Sequence, residues 1–181
     1  MTREPGGTRA GDAVRRILLG TRSGRLEAWT ELFLFEAARA QHLSEIVRPA
    51  LAAGMIVLCD RFTDSTLAYQ GYGRGLPRPM IERIHALPAL GPAPDLTILF
   101  DLPVEAGLAR IRTRNASSAA RRRESRIDDE PARFHERVRR GFRAIAAANR
   151  RRVAIVDGSR PPEAVASAVR EIVLARLDGA R

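Results

Sequence analysis

Met55-Ile56-Val57-Leu58-Cys59 runs directly into Asp60-Arg61-Phe62-Thr63-Asp64-Ser65-Thr66-Leu67-Ala68-Tyr69-Gln70-Gly71. The first five residues are an unbroken apolar run, the pattern of a strand buried on both faces of a parallel sheet. Residues 60–71 therefore leave that strand's carboxyl end, the edge at which open α/β sheets bind ligands. An acid, an arginine, hydroxyls, a tyrosine and an amide fall close together there. Such a set suits an anionic, hydrogen-bonding small molecule held beside a cation, and it reads as half of an active site.

Outward from this stretch, Leu96-Thr97-Ile98-Leu99-Phe100-Asp101 and Val153-Ala154-Ile155-Val156-Asp157 repeat the apolar pattern. Helices are expected between the strands: over 11–20, ended by glycine; over 26–53, capped near Ser23, bent or restarted at Pro49 and stopped by Gly54; and over 77–87, 104–112, 131–148 and 161–177. Residues 71–75 read as a glycine-rich loop, 88–94 as a proline-punctuated loop, and 113–129 as a flexible arginine-rich segment. Trp29 is expected between helices, and Cys59 as a small buried hydrophobe. Short, unalternating strands separated by helices imply one parallel sheet covered on both faces. No repeat or composition break divides the chain, so residues 1–181 are expected to form a single domain.

With 181 residues, 45% hydrophobic and 29% charged, the chain has the composition of a soluble globular domain. No apolar stretch approaches the roughly 20 residues that span a bilayer, and residues 1–7 contain no apolar signal core. Cys59 stands alone, which excludes an internal disulfide and suits a reducing cytoplasm. The net charge of +10 invites a nucleic-acid partner, but every basic residue is arginine. The runs 121–123 and 150–152 lack interleaved aromatics and match no binding motif, so neither nucleic acid nor membrane is expected as a partner. His42, His85 and His135 lack metal-ligand spacing.

Four motifs, in one order along the chain, resemble the bacterial thymidylate kinases, nucleoside monophosphate kinases of the P-loop NTPase fold. They are Thr2-Arg3-Glu4-Pro5-Gly6-Gly7-Thr8, Leu34-Phe35-Glu36-Ala37-Ala38-Arg39-Ala40-Gln41-His42, the 60–71 stretch, and Pro94-Asp95-Leu96-Thr97. The resemblance implies an α/β fold with a parallel sheet flanked by helices, transfer of a phosphoryl group from ATP to dTMP with Mg2+, and a homodimer.

The implied chemistry suits these residues. The acceptor is already an ionised phosphate, so the obstacle is repulsion between two polyanions, and positioning and charge neutralisation carry the catalysis. Arginine forks bind phosphate oxygens and stay charged. The resemblance places Arg3 and Arg61 on the acceptor phosphate, with Asp60 nearby to orient them or to engage Mg2+, a part Glu4 could share through water. Phe35 and Arg39 lie four apart on one helical face, and the family uses these positions to stack on the base and to bond a base oxygen. The resemblance further implies that Thr66 and Gln70 meet the base edge and sugar region, with Ser65 beside them, and that Tyr69 lies against the sugar and disfavours a 2′-hydroxyl.

Residues 113–130 occupy the place of the LID over the donor phosphates. Arg126, ahead of Ile127-Asp128, best matches the family's catalytic LID arginine, and Arg121, Arg122 and Arg123 are further candidates. A P-loop kinase also needs Gly-x-x-x-x-Gly-Lys-Ser/Thr, and this chain contains neither lysine nor that glycine pattern. The expectation is therefore a chain lacking the family's first strand, P-loop and first helix, inactive and prone to aggregate by itself. Two other readings stay open: a non-catalytic nucleotide-binding remnant, and an arginine-rich nucleic-acid-binding protein.

Overall fold

The computed structural model describes residues 1–117 and 124–178. Strand β1 (Thr2–Arg3) pairs in parallel with β2 (Cys59–Asp60), and β3 (Thr97–Asp101) pairs in parallel with β4 (Val153–Asp157). These are two separate two-stranded sheets. The parallel arrangement matches the sequence pattern, but coverage on both faces does not. Ile56 is 69% exposed, Leu58 59% and Phe100 50%. The cause is a missing neighbour: among the described residues no strand joins β2 to β3, so the backbone groups on that side must be satisfied by water. The predicted strand at 55–59 accordingly shrinks to Cys59–Asp60, the part that β1 pairs.

The two half-sheets are tied to each other through Asp64. Asp64, just beyond β2, accepts hydrogen bonds from Thr97 Oγ1 at 3.0 Å and from Arg152 Nη1 and Nη2 at 2.7 and 2.9 Å. Thr97 opens β3 and Arg152 immediately precedes β4. In a continuous parallel sheet the carboxyl ends share one edge, whereas here the segment leaving β2 is clamped to the amino ends of β3 and β4.

The helices follow their local signals. In α1 (Arg9–Leu19) the Thr8 hydroxyl caps the amino end by accepting from Gly11 N at 2.9 Å, and Gly20 ends it. Helix α2 (Ala28–His42) is capped by Glu27 rather than near Ser23, which lies in a 3-10 turn at Thr21–Ser23. A wider π-type turn (Leu43–Val47) carries it into α3 (Arg48–Ala52). Pro49 sits in the first turn of α3, where its missing N–H is no loss, and Gly54, at φ +72°, stops the run.

Past β2, α4 (Thr63–Thr66) opens into a second π-type turn (Leu67–Gly73), followed by α5 (Arg78–His85). Helix α6 (Val104–Ala116) follows β3, α7 (Ala132–Ala148) precedes β4, and α8 (Pro162–Asp178) comes after it. Two predicted loops are corrected here. Residues 113–116 belong to α6, and helix rather than loop continues through Gly73. The reason at Gly73 is close packing. A Cβ there would lie 2.8 Å from the Phe134 ring, and one at Gly141 would lie 2.7 Å from the Tyr72 ring. These glycines let α7 press against the 67–73 turn, and the core of Ala68, Ile127, Phe134, Val138 and Ile145 forms around that contact. Trp29, expected between helices, instead stacks on Phe33 at 6.0 Å on an exposed face of α2.

Candidate functional site

Helix α2 places Glu31, Phe35, Arg39 and His42 at three- and four-residue spacings, hence on one face. That face meets the start of the chain and the segment after β2. Arg39 is the hub, its side chain 2% exposed. Its Nε donates to Glu4 Oε2 at 2.8 Å, its Nη1 to both Glu36 oxygens at 2.8 and 2.9 Å, and its Nη2 to Thr66 Oγ1 at 3.0 Å. The guanidinium carbon lies 5.1 Å from the centre of the Phe62 ring. Residues from three of the four motifs are thereby joined in one buried network.

The remaining oxygen of Glu4 bonds His42 Nδ1 at 2.9 Å, and His42 Nε2 meets Thr2 Oγ1 at 2.7 Å. His85 Nε2 lies 3.2 Å from Glu36. Burial pushes the Glu36 carboxyl up, yet hydrogen bonds and charge from His85 and Arg39 outweigh it and hold the group below the ordinary glutamate range. A charge this deep is tolerable only when paired, and here two carboxylates face one guanidinium.

A second hub forms on Glu31, whose side chain is fully buried. Gln70 Nε2 donates to it at 2.8 Å, Arg74 Nε and Nη2 each at 3.0 Å, and Arg126 Nη2 at 2.7 Å. Arg126 Nε also donates to the Leu18 carbonyl. Burial again raises the carboxyl, and the bonds from Arg74, Arg126 and Gln70 bring it below its usual range. Arg126 is thus folded onto the α2 face. Arg121, Arg122 and Arg123 lie outside the described residues.

Around these hubs lies an exposed rim. Arg3 makes only a loose 3.8 Å pair with Asp12, both side chains more than half exposed. Arg61 has φ +65°, a left-handed conformation costly for a residue with a Cβ, and its guanidinium lies 5.1 Å from the centre of the Tyr69 ring. The Asp60 carboxylate is exposed and makes no hydrogen bond or ion pair among the described residues. Ser65 and Phe35 are half-buried, Phe35 at the margin of the core. A separate apolar cleft of about 190 Å³, bordered by Tyr69, Leu99 and Phe142, lies along β3.

Of the residues singled out from the sequence, the structure gathers Glu4, Arg39, Thr66 and Gln70 around the two hubs of α2, while Glu31, Glu36, His42 and Arg74, which join them there, were not among the site candidates. The available signal was a helix whose acids and histidine fall one turn apart on the same face as Phe35 and Arg39.

A family model described as thymidylate kinase matches residues 1–169. The chain is similar to the thymidylate kinase of Desulfovibrio desulfuricans, at 52% identity over 98% of this chain and 82% of that protein. It is similar to that of Geobacter sulfurreducens at 50% identity, covering 98% of this chain and 83% of the relative. The crystal structure of thymidylate kinase from Ehrlichia chaffeensis aligns with a TM-score of 0.72 and 32% identity, over 96% of this chain and 78% of that one. Neither the remnant reading nor the nucleic-acid reading draws support from these matches.

Proposed function

The chain belongs to the thymidylate kinase family, and on that premise we propose that it serves phosphorylation of dTMP to dTDP by ATP, holding dTMP where residues 2–8, 34–42 and 60–71 meet. The observation that carries this is the Glu4–Arg39–Thr66 network, which ties three motifs together through one buried guanidinium.

Within the single domain, Arg3 and Arg61 receive the acceptor phosphate. Their support is that neither guanidinium is locked into a close ion pair among the described residues: Arg3 meets Asp12 only loosely, at 3.8 Å, and Arg61 lies against the Tyr69 ring. Phe35 stacks on the base. Arg39, its plane set by Glu4 and Glu36, offers the N–H groups left over to a base oxygen, since a guanidinium carries five. Thr66, Gln70 and Ser65 line the base edge and sugar region, and Tyr69 stands at the sugar.

Magnesium fits Asp60, an oxygen ligand with no competing ion pair among the described residues, better than Glu4, whose two oxygens are held by Arg39 and His42. When bound, Mg2+ neutralises charge between the two phosphate groups. Arg126, in the LID-like segment 113–130, supplies a further cation once released from Glu31. The donor-phosphate cradle is not among these 181 residues, which contain no lysine, so this chain by itself binds dTMP without turning it over. The exposed Trp29–Phe33 pair favours a homodimer. None of the described helices is long and apolar enough to cross a membrane. The nucleotide substrates of the proposed reaction suit work in the cytoplasm.

Calorimetric titration tests the assignment. The chain should bind dTMP, and Phe35→Ala should weaken that binding by the ~1–3 kcal/mol that base stacking on an aromatic ring is worth. A folded chain that ignores dTMP, or a Phe35→Ala variant that binds it as well as the parent, overturns the reading.

A further inference from the structure

The acceptor-side reading uses neither His42 nor Cys59. Yet Glu4, His42 and Cys59 each bring one ligand atom, a carboxylate oxygen, an imidazole nitrogen and the sulfur, to within 4.8 Å of one another, at the junction of β1, β2 and the end of α2, with Glu4 Oε1 2.9 Å from His42 Nδ1. Glu4 and His42 are buried and Cys59 is half-buried. A carboxylate oxygen, an imidazole nitrogen and a thiol sulfur are the donor types of zinc sites. With bonds of 2.0 to 2.3 Å, donors around a tetrahedral ion lie about 3.3 to 3.8 Å apart, so small side-chain rotations close this triangle.

We propose that Glu4, His42 and Cys59 form a binding site for a thiophilic divalent cation of the zinc class, with the fourth position left to water. The surroundings supply what such a site needs beyond its ligands, namely groups that orient them. His42 Nε2 meets Thr2 Oγ1 at 2.7 Å, and Gly7 presses on the same pair: a Cβ there would lie 2.9 Å from the Thr2 hydroxyl and 3.0 Å from the imidazole. Glu4 uses only Oε2 for Arg39, so Oε1, which bonds His42 Nδ1, can exchange that partner for the ion without loss of the Arg39 pair.

The proton balance closes. The ion takes the Nδ1 lone pair, so the ring proton resides on Nε2 and is donated to Thr2, whose hydroxyl can accept it. The Cys59 thiol gives up its 3.1 Å hydrogen bond to the Arg61 carbonyl and releases its proton to solvent as the S–metal bond forms. The Glu4–His42 hydrogen bond gives way to two coordination bonds. Charge favours this, because Glu4 and Glu36 already outnumber Arg39 in the network. Sulfur and nitrogen donors select zinc-class ions over magnesium, so the site is distinct from Asp60.

Cobalt serves as the spectroscopic probe, with the 181-residue chain carried on a solubility tag free of Cys and His. Titration should give one Co2+ per chain with a thiolate-to-cobalt charge-transfer band that Zn2+ displaces. Cys59→Ser should abolish the band and weaken Zn2+ binding at least about 100-fold, and Thr2→Val, which keeps every ligand, should preserve the band while weakening Zn2+ about 10- to 100-fold. Absence of the band in the parent, its survival in Cys59→Ser, or full Zn2+ affinity in Thr2→Val overturns the proposal.

Discussion

The two sides of β2 are opposites. Toward β1 the chain leads into the Arg39 corner, where Glu4, Glu36, Arg39 and His42 are almost wholly buried. Toward β3 it faces a seam where Ile56 and Leu58 stand in solvent. Charge is inside and hydrocarbon outside, the reverse of the usual partition. The difference shows that availability of partners decides burial here. Arg39 finds Glu4, Glu36 and Thr66 among the described residues, so its desolvation is offset by charged hydrogen bonds. The apolar run at 55–58 finds no second strand among the described residues, and its backbone cannot leave water without one.

The sharpest way to break this contrast is to fill the seam. Placing a strand, a Gly-x-x-x-x-Gly-Lys-Ser/Thr loop and a helix ahead of Met1 should raise dTDP formation by about 10³ or more, the scale on which a cation stabilising the transferring phosphoryl group acts. A coupled assay measures the rate, and hydrogen exchange should show protection appearing at 56–58 and 97–101. The extended protein should also show Phe35→Ala raising KM for dTMP more than for ATP. Turnover by the 181-residue chain at the extended protein's rate would remove the distinction between the two sides.

Next in size is the corner itself. Arg39→Ala leaves Glu4 and Glu36 buried with their main partner gone, and removing one member of a buried charge network costs about 3–5 kcal/mol. Urea unfolding measures it, and a loss below about 1 kcal/mol would mean that the network is hydrated and the contrast with the seam is small.

Much of this fold was legible because its signals are local. Gly20 and Gly54 end helices through their own backbone freedom, and three unalternating apolar runs announce strands without reference to anything else. The remainder depends on residues far apart in sequence. Strand β1 is two residues long and exists only through its bonds to β2. Gly73 looks like a loop residue, and Gly141 like a weak point inside a helix, until Phe134 and Tyr72 are seen against them. At the site, Phe35, Arg39, Thr66 and Gln70 were readable as a resemblance, but Glu31 was not. Its role as a hub comes from Gln70, Arg74 and Arg126, which the fold delivers from two separate segments. The clamp of Asp64 on Thr97 and Arg152 left no trace in the sequence either, since it joins residues 33 and 88 positions apart.

The acid response of Glu31 sharpens the contrast further. Its folded-state pKa is depressed, so the stability it contributes is fully present above the unfolded glutamate value of about 4.3 and is lost as pH falls through the lower folded value. Denaturation midpoints should stay nearly level from about pH 7 to 5 and drop below about pH 4. The drop should be shallower in Glu31→Gln, which keeps an acceptor for Arg74 and Arg126 without the titrating charge. Parallel profiles for the two proteins would place the acid sensitivity elsewhere.

The smallest effect on stability is expected at the seam. Ile56→Lys and Leu58→Lys alter side chains that are already exposed, so each should change the unfolding free energy by no more than about 0.5 kcal/mol. Solubility should respond in the opposite proportion. An exposed edge with apolar side chains and unpaired backbone groups templates strand pairing between molecules, and lysine on such an edge blocks it. Light scattering during concentration should therefore fall for the lysine variants while their urea midpoints stay put. In the extended protein the same substitutions would push a charge into a filled sheet, and there they should cost several-fold more stability than in the 181-residue chain. That reversal is the most direct evidence to seek, because only a side chain whose surroundings change from water to protein can be harmless in one context and damaging in the other.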